Sequence, residues 1–419
     1  MRGEVEHGSG MLQDAGTRLR WLSTGREGLA AMLGAIQGAR RSIALEIYIF
    51  EESPVGREFL AALCAAARRG VRVRVLVDTF GSFELRSDFF QPLIEAGAEF
   101  RWFNPRELGR FIYRDHRKLL VVDDQVAFVC GFNIGTHYDG DGVVEGWRDL
   151  GVEVTGGFVP VLAEAFAGMF GAAGFRHALL ARFRRHLVPQ EVRVKGGSVF
   201  LLSPGRERNP AREALSADIL RARCVRLTTA YFLPPRRLRT ALARAAREGA
   251  RVQLLLPGRS DVRLAQWAAR GQYGRLLRAG VEIHEYQPAV LHAKRYLLDD
   301  IVYVGSANLD LRSLNINYEL LLRVEDPALA AEGHRQFEAD LAHSRQIRRE
   351  TWRLRPWWNR LGERLAGFFL VQMDARFALR QLHRLREGPL RLGVRKLARV
   401  AAAARRRGAG GSGADDATR

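Results

Sequence analysis

Two stretches of the chain, DHRKLLVVD at residues 115–123 and LHAKRYLLD at residues 291–299, follow one pattern, H-x-K-x-x-x-x-D. Each is followed by a short apolar segment and then by a small-residue turn that ends in asparagine, CGFN at 130–133 and GSAN at 305–308. From the histidine to the asparagine, the register of the two copies agrees to within one residue. The chain therefore contains the same structural unit twice.

The segments around the two motifs alternate between strand and helix patterns. A strand, a helix and a second strand occur in this order in both halves, at 43–50, 58–69 and 70–77 and again at 225–233, 237–247 and 249–256. Strand–helix–strand alternation with short Gly-containing connections is typical of α/β units on a mostly parallel or mixed sheet. We predict an α/β protein with two homologous lobes, residues 15–190 and 191–345.

Composition and charge narrow the classes of protein that the 419 residues can form. A hydrophobic content of 47% and a charged content of 27% indicate a globular chain and exclude a disordered or collagen-like one. The three cysteines have no metal-binding spacing and indicate a reducing compartment. No apolar run reaches the roughly 18 residues of a spanning helix, so we expect a soluble or peripheral protein. The nearly apolar segment 156–175 is predicted to be a buried helix.

The formal net charge of +20 implies an anionic partner, either nucleic acid or an anionic membrane surface. Much of this charge lies after residue 345, where an apolar stripe at helical spacing accompanies dense arginine. We predict that residues 346–407 form a basic amphipathic tail that associates with a membrane, and that the Gly-rich end, 408–419, is disordered. The aromatic residues expected to enter the headgroup region are Trp357, Trp358, Phe368 and Phe369.

The histidine and lysine of each motif are suited to binding and attacking a phosphate. Side chains alternate along a strand, so His116 and Lys118 face the same way, as do His292 and Lys294. Lysine is a donor with no role as a ligand in a typical cation site, which favours a phosphate over a metal, and we expect no metal and no cofactor. With both halves around one phosphodiester, one imidazole can attack phosphorus while the other protonates the leaving oxygen.

Four further residues are candidates to complete this site. The side-chain amides of Asn133 and Asn308 are expected to add neutral donors to the phosphate oxygens. Neither motif contains a carboxylate placed to orient its imidazole, and the carboxylates downstream in WRD and NYE, Asp149 and Glu319, are the best candidates for this role. Such a carboxylate fixes the histidine tautomer and stabilises the imidazolium.

The paired motifs resemble those of the phospholipase D superfamily, whose signature is two copies of H-x-K-x-x-x-x-D with a downstream Gly-Ser or Gly-x-Asn. Within it, the chain is similar to bacterial cardiolipin synthases of the B type, which lack N-terminal spanning helices. The similarity covers residues of about 15–345 and includes WRDL and SLNINYE, and PWWN at the start of the tail is also similar.

This resemblance implies a bilobal fold, with the lobes packed face to face about a pseudo-twofold axis, and a metal-free reaction. One phosphatidylglycerol gives its phosphatidyl group to another through a phosphatidyl-histidine, which yields cardiolipin and glycerol. We expect His116 to be the nucleophile and His292 the acid. The family's motif aspartates correspond to Asp123 and Asp299, which we expect to act by holding the loop.

The resemblance also implies a peripheral enzyme at the cytoplasmic face of the bacterial inner membrane, and a nucleic-acid partner is not expected. Three alternatives remain open on the sequence alone. The first is a nuclease or phosphodiesterase of the same fold, although the aromatic residues cluster in the tail instead of along a groove. The second is a phospholipase D in which water replaces the acceptor lipid. The third is a non-catalytic scaffold, against which both intact motifs argue.

Overall fold

The computed structural model describes residues 16–86, 88–104, 113–173, 190–204 and 209–370. Most of the predicted basic tail, from residue 371 onwards, and the predicted disordered end at 408–419 lie outside these residues. Within the described ranges, no helix combines the length and the apolar character needed to cross a bilayer.

The first half forms a mixed sheet of seven strands. They are β1 (Arg18–Leu22), β2 (Ser42–Ile47), β3 (Arg72–Asp78), β4 (Glu99–Phe103), β5 (Leu119–Val122), β6 (Val126–Cys130) and β7 (Gly151–Thr155). Their order across the sheet is β1-β7-β6-β5-β2-β3-β4. Strands β2, β3 and β4 are parallel, and the remaining pairs are antiparallel.

The second half repeats this topology in a nine-stranded sheet. Its strands are β8 (Glu191–Val194), β9 (Gly197–Leu202), β10 (Cys224–Thr228), β12 (Arg251–Pro257), β13 (Glu282–Tyr286), β14 (Arg295–Leu298), β15 (Ile301–Gly305), β17 (Glu319–Glu325) and β18 (Ser344–Gln346). The order β9-β17-β15-β14-β10-β12-β13 matches that of the first sheet strand for strand, with β8 and β18 added at the edges. Two short strands, β11 (Phe232–Leu233) and β16 (Leu309–Asp310), pair separately. The predicted α/β class and the repeat are confirmed.

The helices of the described residues connect or cover the strands. They are α1 (Gly25–Gly38), α2 (Pro54–Arg68), α3 (Gln91–Glu95), α4 (Phe158–Ala173), α5 (Pro210–Arg221), α6 (Arg236–Arg247), α7 (Arg263–Arg278), α8 (Leu311–Asn315), α9 (Pro327–Ala342), α10 (Arg349–Arg353) and α11 (Trp357–Phe368). Ser53 caps α2 by accepting from Gly56 N, and Pro54 fits its first turn. Helices α2 and α6 end before Gly70 and Gly249, whose φ angles of 87° and 97° turn each chain into the next parallel strand.

The two sheets pack face to face through one apolar core. Val121 and Val129 of the first sheet share this core with Val304 and Leu320 of the second. Helices α4 and α9 also contribute to it, so the predicted buried helix at 156–175 is confirmed. Separate apolar clusters pack α1 and α2 on the outer side of the first sheet and α5, α6 and α7 on the outer side of the second. The result is a bilobal sandwich in which the equivalent strands β5 and β14 both begin near the junction of the halves.

Candidate active site

Both H-x-K segments are fixed by backbone contacts with the opposite half of the chain. His116 N donates to Tyr318 O at 3.0 Å, and His292 N donates to Arg148 O at 2.8 Å. Parallel bridges between Asp115 and Tyr318 and between Arg148 and Leu291 extend these contacts. The two docking points are equivalent under the repeat, and they bring the start of β5 and the start of β14 to the lobe interface.

Each imidazole is hydrogen-bonded to a carboxylate of the opposite half. His116 Nδ1 lies 3.0 Å from Glu319 Oε2, and His292 Nδ1 lies 2.6 Å from Asp149 Oδ2. Both carboxylates are completely buried. The sequence singled out these two carboxylates, and the structure adds that they are exchanged between the halves, so that neither histidine is complete without the other lobe.

The two carboxylates occupy different electrostatic environments. Glu319 accepts from Ser306 Oγ at 2.5 Å and from Asn317 Nδ2 at 3.2 Å, and burial raises its pKa to about 8. Asp149 accepts from Leu150 N at 2.8 Å. Burial alone would raise the pKa of Asp149, but the charges of Lys294 and His292 outweigh it and the pKa lies below its ordinary value. Asp149 is therefore ionised over a wider pH range than Glu319.

The histidines and lysines are buried beside one another, which favours their neutral forms. Burial, followed by the charges of Lys118 and Lys294, holds the pKa of His116 well below its ordinary value. The pKa of His292 is lowered by burial and Lys294, while Asp149 opposes the shift. Burial also lowers the pKa of Lys118 to about 7. An anionic phosphate bound among these four groups would reverse these shifts, because it stabilises every protonated form.

Aromatic side chains outside the predicted set of site residues pack against both imidazoles. The ring centroid of Tyr48 lies 4.9 Å from that of His116, in an edge-on arrangement. Tyr138 and Trp147 lie 5.6 and 5.7 Å from His292. Tyr138 and Trp147 both belong to the first half, so they also reach across the interface. Trp147 is the first residue of the WRD segment, which was the one available signal for it.

The two asparagines lie in the turns that follow β6 and β15, and both are buried. Asn133 Oδ1 accepts from Ile49 N at 3.0 Å, and its Nδ2 donates to the Tyr138 hydroxyl at 2.8 Å. Asn308 Oδ1 accepts from Thr229 Oγ1 at 3.3 Å. These bonds tie each turn to the end of the neighbouring strand, and contact of the amides with phosphate stays a prediction.

The motif aspartates lie at the far ends of β5 and β14, away from the imidazoles. Asp123 accepts from the backbone N–H groups of Arg40, Arg41 and Ser42 at 2.7–2.9 Å. Asp299 accepts in the same way from Arg223 and Cys224. The four residues of β5 or β14 separate each aspartate from its lysine, a span of roughly 16 Å. Although they belong to the signature, these carboxylates hold the loop before β2 or β10 and do not reach the reacting groups.

The aromatic residues predicted to reach a membrane lie on or just after α11. Trp357, Trp358, Phe368 and Phe369 are each more than half exposed. On its other side α11 packs on α7, with Ala366 buried and Gly362 against the ring of Trp267. The apolar stripe is therefore left on the surface by a helix that is itself docked on the second lobe.

The donor set at the lobe interface suits an anion. Two lysine ammonium groups and two imidazoles converge there, and each carboxylate is hydrogen-bonded to one of the imidazoles. Across the ranges that the structure describes, no three His, Cys, Asp or Glu side chains are grouped so that they could hold a metal ion. The arrangement is able to bind a phosphodiester and to provide one nucleophile and one proton donor on either side of it.

The chain is similar in sequence to a known protein family and to several of its members. A family model described as "Cardiolipin synthase, PLD-like domain" matches residues 32–138 and 218–341. The chain is 33% identical over 350 residues to the major cardiolipin synthase ClsA of Bacillus subtilis, covering 82% of this chain and 72% of that protein. It is 32% identical over 381 residues to cardiolipin synthase B of Escherichia coli, covering 86% and 89%.

Solved structures show the same fold. A phosphatidylserine synthase from Haemophilus influenzae superposes with a TM-score of 0.68 over 86% of this chain and 94% of that chain, at 17% sequence identity. At this level of identity the likeness concerns the fold alone. It agrees with the two-lobed arrangement of the sheets described above.

Proposed function

The chain belongs to the family of cardiolipin synthases with a phospholipase D-like domain, and we propose that it joins two phosphatidylglycerol molecules into cardiolipin and glycerol. The resemblance inferred from the sequence is thereby confirmed, as is its classification as a phosphatidyltransferase. The observation that carries the proposal is the exchange of carboxylates between the halves, because it gives a single site two oriented imidazoles.

In the first half-reaction, Lys118 and Lys294 neutralise the non-bridging oxygens of the bound phosphodiester. The Nδ1–H of His116 donates to Glu319, which leaves the Nε2 lone pair to attack phosphorus. A phosphorus–nitrogen bond forms as the bond from phosphorus to the glycerol oxygen breaks. His292 gives its proton to that oxygen, and glycerol leaves.

In the second half-reaction, the free hydroxyl of another phosphatidylglycerol approaches from the side that glycerol left. His292 takes the hydroxyl proton as the oxygen attacks phosphorus, and the bond to His116 breaks. Cardiolipin is formed, and both imidazoles return to their initial protonation states. Water at the same position would give phosphatidic acid instead, so transfer requires the acceptor hydroxyl to compete successfully for this position.

The two carboxylates support a division of roles between the histidines. Asp149 is ionised and lies 2.6 Å from His292, so it stabilises the imidazolium that a proton donor requires. The pKa of His116 lies well below its ordinary value, and Glu319, whose own pKa is raised, stabilises an imidazolium less than Asp149 does. His116 therefore stays neutral and nucleophilic. This assignment agrees with the expectation that His116 attacks and His292 donates the proton.

The reaction is tested by incubating purified protein with phosphatidylglycerol whose headgroup glycerol is deuterated, and by analysing the lipids by mass spectrometry. We expect cardiolipin that retains one labelled bridge, together with one equivalent of labelled glycerol, and loss of both products in a His116→Ala/His292→Ala double variant. Phosphatidic acid as the sole product would indicate a phospholipase D-type hydrolase. Cleavage of single-stranded DNA without any lipid product would indicate a nuclease.

The exposed stripe of α11 and the net charge of +20 support peripheral attachment to an anionic membrane surface, which we assign to the cytoplasmic face of the inner membrane. Because α11 covers part of α7, substitution of its exposed side chains is a cleaner test than its removal. We expect Trp357→Ser/Trp358→Ser to weaken sedimentation with phosphatidylglycerol vesicles about 10-fold. Leu220→Ser, a change at an exposed leucine of α5, serves as the control. Equal vesicle binding by the Trp variant and the wild type would contradict the assignment.

A further inference from the structure

The pseudo-twofold symmetry of the site is broken by the residues that follow β2 and β10. The bridges Phe50–Ile134 and Phe232–Leu309 occupy equivalent places in the two halves. The residue before each bridge is therefore equivalent too, and Tyr231 stands where the first half has Ile49. A hydroxyl group is thus present on one side of the site and absent from the equivalent position on the other.

The hydroxyl of Tyr231 donates to a carboxylate that stands at the same edge of the second sheet. Its partner is Asp261 Oδ2, at 2.6 Å. Asp261 lies in the loop between β12 and α7, and Ser260 Oγ donates to its Oδ1 at 3.3 Å. Since β10 and β12 are parallel neighbours, the segments that follow them emerge together beside the start of β14, which His292 and Lys294 directly precede. Burial lowers the pKa of both those residues, and the charge of Asp261 opposes this lowering, in keeping with its proximity.

A cationic side chain stands near His116 on the other side of the site. Arg114, two residues before His116, lies with its guanidinium carbon 4.1 Å from the ring centroid of Phe80. The second half has Val290 two residues before His292. Arg114 therefore adds positive charge near His116, whereas Asp261 adds negative charge near His292. This difference favours the anionic phosphodiester near His116 and its neutral, hydroxyl-bearing end near His292.

The hydrogen-bonded pair of Tyr231 and Asp261 is suited to binding a polyol. A carboxylate has about four acceptor positions, of which Tyr231 and Ser260 occupy two, so two adjacent hydroxyl groups can donate to those that remain. We propose that Asp261, held by Tyr231, binds the free hydroxyl groups of the glycerol headgroup on the His292 side of the site. This inference rests on the proposed phosphatidyl transfer and adds the group that selects the alcohol.

The same contact serves both half-reactions. When glycerol leaves, Asp261 accepts from its two free hydroxyls while the third oxygen receives the proton of His292. When the second lipid enters, one glycerol hydroxyl attacks phosphorus and passes its proton to His292, and the neighbouring hydroxyl donates to Asp261. Asp261 itself neither gains nor loses a proton, so it is a binding residue and its effect lies in the choice of acceptor.

The test is a competition between acceptors for one covalent intermediate. Wild-type enzyme in detergent is given phosphatidyl-p-nitrophenol together with equal concentrations of deuterated glycerol and 1-propanol, which lacks the neighbouring hydroxyls. Mass spectrometry gives the ratio of phosphatidylglycerol to phosphatidylpropanol. We expect the wild type to favour glycerol and Asp261→Asn to reduce that preference roughly 10-fold, the value of a hydrogen bond to a charged group. Tyr231→Phe should reduce it about 3-fold through loss of the hydroxyl that holds Asp261.

The product ratio does not depend on how much enzyme is folded, because both products arise from the same intermediate. Asp300→Asn removes an equal charge from an exposed loop after β14 and should leave the ratio unchanged. An unaltered ratio in both Asp261→Asn and Tyr231→Phe would overturn the inference while leaving phosphatidyl transfer intact. Absence of p-nitrophenolate release by the wild type would instead overturn the proposed function itself.

Discussion

The two halves of the active site share one backbone frame and differ in what surrounds each imidazole. His116 has a carboxylate whose pKa is raised to about 8 by burial, while His292 has one whose pKa lies below its ordinary value. Both carboxylates come from the opposite half. Duplication thus supplies the geometry of the site, and the residues that differ around it support the division of work that we propose for the histidines.

One pair of equivalent residues shows how this divergence is built. The turn after β6 has Gly131 where the turn after β15 has Ser306. Ser306 donates to Glu319, whereas a Cβ atom at position 131 would lie 2.2 Å from Asp149 Oδ1. In the first half, therefore, the absence of a side chain at Gly131 lets Asp149 approach closely. In the second half, the hydroxyl of Ser306 binds Glu319.

The largest difference is expected between the two histidine variants. With phosphatidyl-p-nitrophenol, whose leaving group needs no proton, His292→Ala should still release a burst of p-nitrophenolate and accumulate a phosphatidyl adduct on His116. In His116→Ala the rate of p-nitrophenolate release should fall by about 10³-fold or more, because the variant lacks the nucleophile. Rapid-mixing absorbance measures the burst, and mass spectrometry of the protein locates the adduct.

The control for this comparison is phosphatidylglycerol, whose leaving oxygen requires a proton. With it, both variants should be inactive to a similar degree, since each removes a group that the reaction needs. A burst in His116→Ala and none in His292→Ala would reverse the roles assigned here.

The carboxylates should differ in the pH dependence of their variants. Glu319, with a pKa raised to about 8, holds its proton below pH 8, and it must lose the proton to fix the Nδ1–H tautomer of His116. Intermediate formation by the wild type should therefore increase as the pH rises toward 8. Glu319→Gln resembles the protonated form of Glu319. Its rate of intermediate formation should therefore match that of the wild type at low pH and should not increase as the pH rises. With phosphatidylglycerol, whose leaving oxygen needs a proton, Asp149→Asn should form cardiolipin about 10³-fold more slowly over the whole range, since Asp149 is ionised throughout. Parallel pH profiles for the wild type and Glu319→Gln would contradict this.

A smaller difference is expected from exchanging the turn residues. Gly131→Ser places an atom against Asp149 and should lower kcat at least about 10-fold through displacement of that carboxylate. Ser306→Gly removes one hydrogen bond to Glu319 and should lower kcat by only about 3- to 10-fold. Steady-state cardiolipin formation measures both, with thermal unfolding as the control for misfolding. Equal losses of kcat in the two variants would contradict the proposed difference between the two turns.

Much of the fold could be predicted from the sequence because its signals are local and occur twice. The strand and helix patterns at 43–77 and 225–256 correspond to β2-α2-β3 and β10-α6-β12, and the apolar segment at 156–175 contains α4. The sequence could not indicate that β1 pairs with β7 or that β9 pairs with β17. Those pairings join residues far apart in the chain and depend on tertiary packing.

The site was predictable in its residue types and not in its connections. Asp149 and Glu319 could be singled out as carboxylates downstream of the motifs, but their exchange between the halves is a property of the lobe interface. Tyr138 and Trp147 escaped prediction because the segment between β6 and β7 has no periodic pattern that would place a side chain. The buried hydrogen bonds of Asn133 were hidden for the same reason.

The exchange of carboxylates is tested most directly by the burst of p-nitrophenolate in Asp149→Asn. If Asp149 serves His292, this variant should behave like His292→Ala, with a burst that reports formation of the adduct on His116 followed by a stall in its transfer to the acceptor. If Asp149 instead served the histidine of its own half, the burst itself would disappear, as in His116→Ala. That result would contradict a single site completed by both halves.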